Sequence, residues 1–307
     1  MKLGCAVGCF TYPSYEAPYE EAIQKIGSLG FQGLELIAYK EEDLKEYYTT
    51  STIRRLRDLY QGYGMELSEF IVYASLVEGL VSRDLKEKQR AFDTVKRCME
   101  VAWELGTDKI NLVSGWPKEL KAPIAYPPSY IHPFVSGVQK FEPKLKMELP
   151  PNFDANGVWD NYVESLAKVT EMAGNAGMHV VLEGHANVIV GNTDAMMRAF
   201  DRISSPHLGT NFDTAWHFMQ REYLPWSIYK LRERILHVHL RDGDGRSVYS
   251  LPPGLGAIDW RGVIRALKEV GYDGYLSFEL SKYDQPETYL KESKQYLENI
   301  MREEGII

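Results

Sequence analysis

The chain has 307 residues, enough for one large domain or two small ones, and a folded chain of this size buries ~75% of the surface it exposes unfolded. Hydrophobic residues make up 44% and charged residues 25%, ordinary for a globular protein. Asp plus Glu outnumber Lys plus Arg by 43 to 35, and the net charge of -8 repels phosphate backbones and anionic lipid, which excludes nucleic acid and membrane as expected partners.

Strand-like apolar runs and helix-period segments alternate along the chain. The first strand is predicted over 3–10, followed by a helix over 18–29, a strand over 33–38 and a helix over 51–63. A strand over 65–73, a helix over 83–105 and a strand over 109–114 complete the first half. The second half reads as helix 154–176, strand 178–184, helix 193–203, strand 208–213, helix 225–233, strand 235–240, helix 259–270, strand 275–280 and helix 286–303. Gly30, Gly64, Gly106, Gly177 and Gly271 stand where five of the helices should stop, since glycine takes the left-handed conformation that closes a helix. Eight units of this kind predict a single-domain (β/α)₈ barrel. No Gly-rich fingerprint follows the first strand, which disfavours a nucleotide-binding open sheet.

The pattern breaks between Trp116 and Phe153, where eight of the fifteen prolines fall, interleaved with Tyr126, Tyr130, Phe134 and Phe141. This 117–153 insertion leaves the fourth strand on the side where barrel active sites are built, and is expected to act as a lid or substrate wall, or as an oligomer contact. Cys5, Cys9 and Cys98 are too few for a disulfide framework and read as buried free thiols. No apolar run approaches the ~20 residues of a membrane span, and MKLGCAVGCFTYP does not read as a signal peptide, so a cytoplasmic protein is expected.

The last four strands read HVVLEGH, LGTNFD, ILHVHL and YLSFEL. Side chains alternate between the faces of a strand, so one face collects Val180, Leu182, Phe212, Leu236, Val238, Leu240, Leu276, Phe278 and Leu280. The opposite face carries Glu183, Asp213, His239 and Glu279, each at or near the C-terminal end of its strand. Three carboxylates and an imidazole cannot share a barrel mouth uncompensated, and one divalent cation resolves the repulsion. An oxygen-rich set with one imidazole suits Mn²⁺, with Mg²⁺ or Co²⁺ as alternates, better than zinc. Taken singly, each acid has a plainer reading, as a helix cap or an ion-pair partner; four in phase on successive strands argue for the shared site.

The stretches LEGH, NFDTAW, HVHLRD, GLGAIDW and GYDGYLSFEL resemble those of the xylose-isomerase-like TIM barrels. Members similar to ketose 3-epimerases and inositol-catabolism enzymes place Glu, Asp, His and Glu at the ends of strands five to eight around one metal. The resemblance therefore implies Glu183, Asp213, His239 and Glu279 as ligands. It also implies that Glu183 and Glu279 move protons on opposite faces of a small carbohydrate. His185 is expected as a further acid–base or substrate-binding group. Glu35, Trp216, His217, Arg241 and Asp242 are expected to contact substrate, with Arg241 and Asp242 also able to orient ligands; His237 is expected to be an interior partner rather than a ligand. Where ketose epimerases often carry a histidine, three residues after the strand-six aspartate, this chain has Trp216. Their arginine six residues after the strand-seven histidine is replaced by Gly245. An aromatic surface at 216 favours a stacked sugar ring or a larger glycoside over a free ketose.

The expected activity is a metal-dependent sugar isomerase or epimerase acting through an enediolate, with a lyase or dehydratase on the same enolate chemistry as the alternative. An endonuclease of the same barrel is disfavoured by the negative charge, and a binding-only barrel by the intact ligand set. A homo-oligomer is left open.

Overall fold

The computed structural model describes residues 1–121, 146–245, 250–280 and 283–307. Its strands are β1 (Lys2–Ala6), β2 (Gly33–Ala38), β3 (Glu66–Val72), β4 (Lys109–Val113), β5 (His179–Glu183), β6 (Leu208–Asp213), β7 (Ile235–Leu240) and β8 (Tyr275–Phe278). All pair in parallel in chain order, and β8 returns to β1 through Leu3 opposite Leu276 and Cys5 opposite Phe278, closing the barrel. The helices around it are α1 (Glu20–Ser28), α2 (Thr50–Gly62), α3 (Leu85–Leu105), α4 (Ala155–Asn175), α5 (Thr193–Ile203), α6 (Thr214–Met219), α7 (Leu224–Leu231), α8 (Trp260–Glu269) and α9 (Pro286–Glu303).

Local chemistry sets the helix ends. Asp84, Asp154, Asn192 and Asp259 cap α3, α4, α5 and α8 by accepting backbone N–H groups that the first turn leaves unpaired, each worth ~1 kcal/mol. At the other ends the five expected glycines all adopt positive φ, from 69° at Gly177 to 96° at Gly106. A side chain at Gly106 would face strain in that conformation, so the stop after α3 is specified by the residue type.

The outward strand face is the core between barrel and helices. Val180, Leu182, Phe212, Val238, Leu240, Leu276, Phe278 and Leu280 are all buried, and only Leu236 of the predicted set is partly exposed. Each fully buried side chain of this kind contributes about 1.5–3 kcal/mol.

Three departures from the sequence reading bear on the mouth. The first strand ends at Ala6, and a short helical turn, Gly8–Thr11, carries Cys9 to β8, where its Sγ accepts from Leu280 N at 3.2 Å. Glu279 lies one residue beyond β8, held by its N–H on Leu240 O. Helix α6, which has no counterpart in the sequence reading, begins directly after Asp213. Most of the predicted 117–153 insertion, 122–145, lies outside the described residues; at its near edge Trp116 Nε1 donates to Asn187 O at 2.6 Å.

Candidate metal centre and active site

Four strand ends converge at the C-terminal mouth. Glu183 is the last residue of β5, Asp213 the last of β6, His239 sits near the end of β7, and Glu279 follows β8. A register shift between Thr210 and Asn211 brings Asp213 level with His239, a typical use of an irregularity beside a site. Thr214 ties the same two strands together: its Oγ1 donates to Arg241 O at 2.6 Å.

The ligand atoms of Glu183, Asp213, His239 and Glu279 all lie within 4.8 Å of one another. His239 Nδ1 stands 2.9 Å from Glu279 Oε2, 3.4 Å from Glu183 Oε2 and 3.9 Å from Asp213 Oδ2. Arg241 reaches into the same space. Its Nε donates to Asp213 Oδ2 at 2.7 Å, and its Nη2 lies 3.3 Å from Glu183 Oε1 and 3.0 Å from Glu279 Oε2, with a further short contact to Asp213. Asp213 divides its oxygens, because Oδ1 caps α6 on Trp216 N at 2.8 Å while Oδ2 faces the centre. The cap reading and the ligand reading are thus compatible in one side chain. Glu183 Oε2 also accepts from Asn111 Nδ2 at 2.9 Å.

The donor set fits a divalent cation. His239 Nδ1 and Glu279 Oε2 are both buried, lie 2.9 Å apart, and neither makes a hydrogen bond among the described residues. Three carboxylates face one guanidinium, which leaves two negative charges for a divalent ion to balance when His239 is neutral. The protonation pattern reports the same crowding. Burial, reinforced by Glu183 and Glu279, pushes Asp213 up to about 6 against the pull of Arg241. Burial also opposes the charge on Glu183, yet His239 and Arg241 hold it down at about 2. His239 is raised well above its ordinary value: burial works against its charge, and Glu35, Glu279 and Glu183 overcome it.

The remaining predicted residues separate into two groups. His185 stays at the mouth, on the turn after β5 rather than on the strand, with its ring 3.7 Å from that of Trp216 and Nδ1 3.2 Å from Ala186 O. Burial lowers it to about 4, so the neutral imidazole prevails at pH 7. Arg241 is at the centre, as described. The other four residues expected to contact substrate have protein partners of their own. Trp216 is 1% exposed, because α6 folds it in its first turn under His185, with the Arg241 guanidinium 5.4 Å from its ring. His217 is fully buried against Phe212 and its Nδ1 meets Glu222 Oε2 at 2.9 Å. Asp242 accepts from Gly243 N, Gly254 N, Ile258 N and Trp260 Nε1, which makes it the anchor of the GLGAIDW segment. Glu35 is buried beneath the mouth with both oxygens engaged, Oε1 by His237 Nε2 at 2.6 Å and Oε2 by His239 Nε2 at 3.0 Å.

Sequence reading passed over the polar layer below the mouth. Glu69, Asn111 and Asn211 are buried there, and Asn211 Nδ2 donates to Glu69 Oε1 at 3.0 Å. The signal was present, since each is a polar residue preceding an apolar one (Glu69-Phe70, Asn111-Leu112, Asn211-Phe212) and so shares the inward phase.

Known proteins place this architecture. The sequence profile of the xylose isomerase-like TIM barrels matches residues 23–300. Fructoselysine 3-epimerase of Escherichia coli O157:H7 is 24% identical over 306 residues, covering 97% of this chain and 98% of its own. Inosose dehydratase of Geobacillus thermodenitrificans is 24% identical over 48% of this chain and 58% of its own. The crystal structure of D-psicose 3-epimerase with D-tagatose from Clostridium cellulolyticum H10 superposes with a TM-score of 0.76 at 18% identity, covering 98% of this chain and 99% of that one. A closed eight-stranded barrel and a profile spanning almost the whole length lead to one conclusion: the chain belongs to the xylose isomerase-like TIM barrel family.

Proposed function

We propose that this protein is a divalent-metal-dependent sugar isomerase or epimerase that works by proton abstraction next to a carbonyl. The observation that carries the reading is the convergence of Glu183, Asp213, His239 and Glu279, with ligand atoms within 4.8 Å and excess negative charge. A divalent ion held by these four would polarise the substrate carbonyl and acidify the adjacent C–H.

The chain's own groups account for the proton traffic. Glu183 and Glu279 flank a common point, marked by the Arg241 nitrogen that lies 3.3 Å from one and 3.0 Å from the other. One carboxylate takes the carbon-bound proton and an enediolate forms; the other carboxyl, protonated at the outset, gives its proton to the opposite face, so charge is conserved and the two groups exchange protonation states, which proton exchange with water resets. Arg241 keeps the carboxylates oriented and supplies a fixed positive charge beside the developing oxyanion. Kinship with a fructoselysine 3-epimerase supports a ketose or ketose derivative as substrate.

A second reading, a lyase or dehydratase, is favoured by His185. A neutral imidazole at the mouth is placed to assist a β-leaving group, so that the enediolate would expel water or an aglycone instead of being reprotonated at carbon. Incubating the Mn²⁺-loaded protein in D₂O with ketoses, fructosamines, inososes and 3-keto-glycosides tests both. Deuterium at carbon without release of water or aglycone supports the epimerase; release supports the lyase. No exchange with any substrate would overturn the enolate chemistry altogether.

A further inference from the structure

Below the centre lies a second group with metal-ligand spacing: Glu35, Glu69, His237 and His239 also bring ligand atoms within 4.8 Å. The two groups share His239, whose ring nitrogens point opposite ways. Nδ1 faces Glu279 and Glu183, while Nε2 faces Glu35 Oε2 at 3.0 Å and Glu69 Oε1 at 3.6 Å. A neutral imidazole carries one ring proton, and filling both groups with cations would require removing it. Both Glu35 oxygens already meet imidazole nitrogens, His237 on one and His239 on the other. Hydrogen bonding thus accounts for both oxygens of Glu35 without a second ion.

We propose that Glu35 is a positioning residue that fixes the tautomer of His239, drawing the ring proton to Nε2 and so presenting the Nδ1 lone pair to the centre formed with Glu183, Asp213 and Glu279. This rests on the metal-binding reading above. A carboxylate is suited to the task because it only accepts, so each histidine facing it must present an N–H. His237 completes the brace: its Nε2 holds the second Glu35 oxygen at 2.6 Å, and its ring stands edge-on to that of His239. Glu35 is fully buried on β2, and its ion-pair partners are these two histidines, both on β7. Metal-bound histidines generally depend on such an acceptor behind the ring, and removing it weakens metal binding about 10–100-fold.

The test uses the full-length protein. Calorimetric titration with Mn²⁺ measures affinity, and imidazole ¹H–¹⁵N correlation spectra of the Mg²⁺-loaded, ¹⁵N-histidine-labelled protein report which nitrogen of His239 carries the proton. The unaltered protein should show the proton on Nε2. Glu35→Gln, whose amide can donate as well as accept, should lose about 10–100-fold in Mn²⁺ affinity and give a mixed or inverted tautomer signal. A proton on Nδ1 of the unaltered loaded protein, or unchanged affinity in Glu35→Gln, overturns the positioning role while leaving the metal centre standing. No metal binding by the unaltered protein overturns the centre itself and this role with it. If Glu35→Gln does not fold, the spectrum of the unaltered protein decides alone.

Discussion

Two clusters of buried acids and imidazoles lie one above the other in this barrel, both spaced for a metal, and they differ in how their charges are met. In the lower one, Glu35 accepts from two histidines and Glu69 from Asn211. In the upper one, three carboxylates share one arginine, and His239 Nδ1 and Glu279 Oε2 face each other with no hydrogen bond among the described residues. Distance alone does not tell a cation site from a braced network. The distinction lies in whether acceptors outnumber donors, because a buried acceptor without a donor costs ~1–3 kcal/mol and a buried unpaired charge more. The upper cluster has one guanidinium for three carboxylates, whereas in the lower one both oxygens of Glu35 have donors and only Glu69 Oε2 has none among the described residues.

The largest expected effect strikes the upper cluster. Glu183→Gln and Glu279→Gln keep an oxygen for the proposed metal and remove the carboxylate proposed to transfer the proton. At saturating Mn²⁺, at least one variant should remain ~10²–10⁴-fold less active, and solvent deuterium should no longer enter the substrate carbon. Restoration of both by excess metal would reduce the glutamates to ligands and pass the base role to His185. Asp213→Ala should bind about one equivalent less metal than the parent, measured by elemental analysis after gel filtration. Equal metal content would move the site away from the strand ends.

The contrast also shows how far the sequence could be read. The barrel was legible because helix stops and strand alternation are local: the glycines at 30, 64, 106, 177 and 271 all close helices with positive φ. That Glu183, Asp213, His239 and Glu279 converge on the inward face was legible because strand phase says which face a side chain takes. Phase does not say at what depth, however. Glu35 points inward as expected, but its partner His237 is 202 residues away, and that contact, which fixes its depth, is not written in local sequence. Trp216 and His217 lie deeper than the sequence suggests for another reason. Helix α6 spans only Thr214–Met219, too short to show a period, yet it turns both rings into the interior. Glu69, Asn111 and Asn211 were missed because a lone polar residue in an apolar run looks like an exception until three line up across strands.

A half-buried acid outside both clusters extends the comparison at intermediate size. Glu222, near α7, accepts from Thr193 N at 2.9 Å, from Ser227 Oγ at 2.7 Å and from His217 Nδ1 at 2.9 Å. Burial alone would raise its pKa, but the bonds from His217, Thr193 and Ser227 outweigh it and hold the group at about 2. A carboxyl whose folded value is depressed stabilises the fold above its unfolded value near 4.5, and loses that contribution as pH falls toward 2. The expected share is up to about 3 kcal/mol. Urea unfolding from pH 6 to pH 3 should show a shallower acid loss in Glu222→Gln than in the parent. Parallel curves would mean that its donors do not favour the charged form.

The smallest effect is expected at Glu69, and it bears most directly on the comparison. Burial, with the charges of Glu35 and Glu183, raises Glu69 well above the ordinary carboxylate value, against the pull of His239. The site thus opposes the charge of Glu69, with Oε1 accepting from Asn211 and no hydrogen bond to Oε2 among the described residues. Gln has the shape of a protonated Glu and can still accept from Asn211. Glu69→Gln should consequently unfold within about 1 kcal/mol of the parent at pH 7, the cost of one neutral hydrogen bond adjusted in place. It should also bind the same single equivalent of Mn²⁺ with little change in affinity. If Glu69 were instead ionised and a ligand of a second ion, the substitution would lose metal, and the parent would titrate with two equivalents. Stoichiometry in the parent and in this one variant thus decides whether the barrel holds one cation above a hydrogen-bonded brace or two cations bridged by His239.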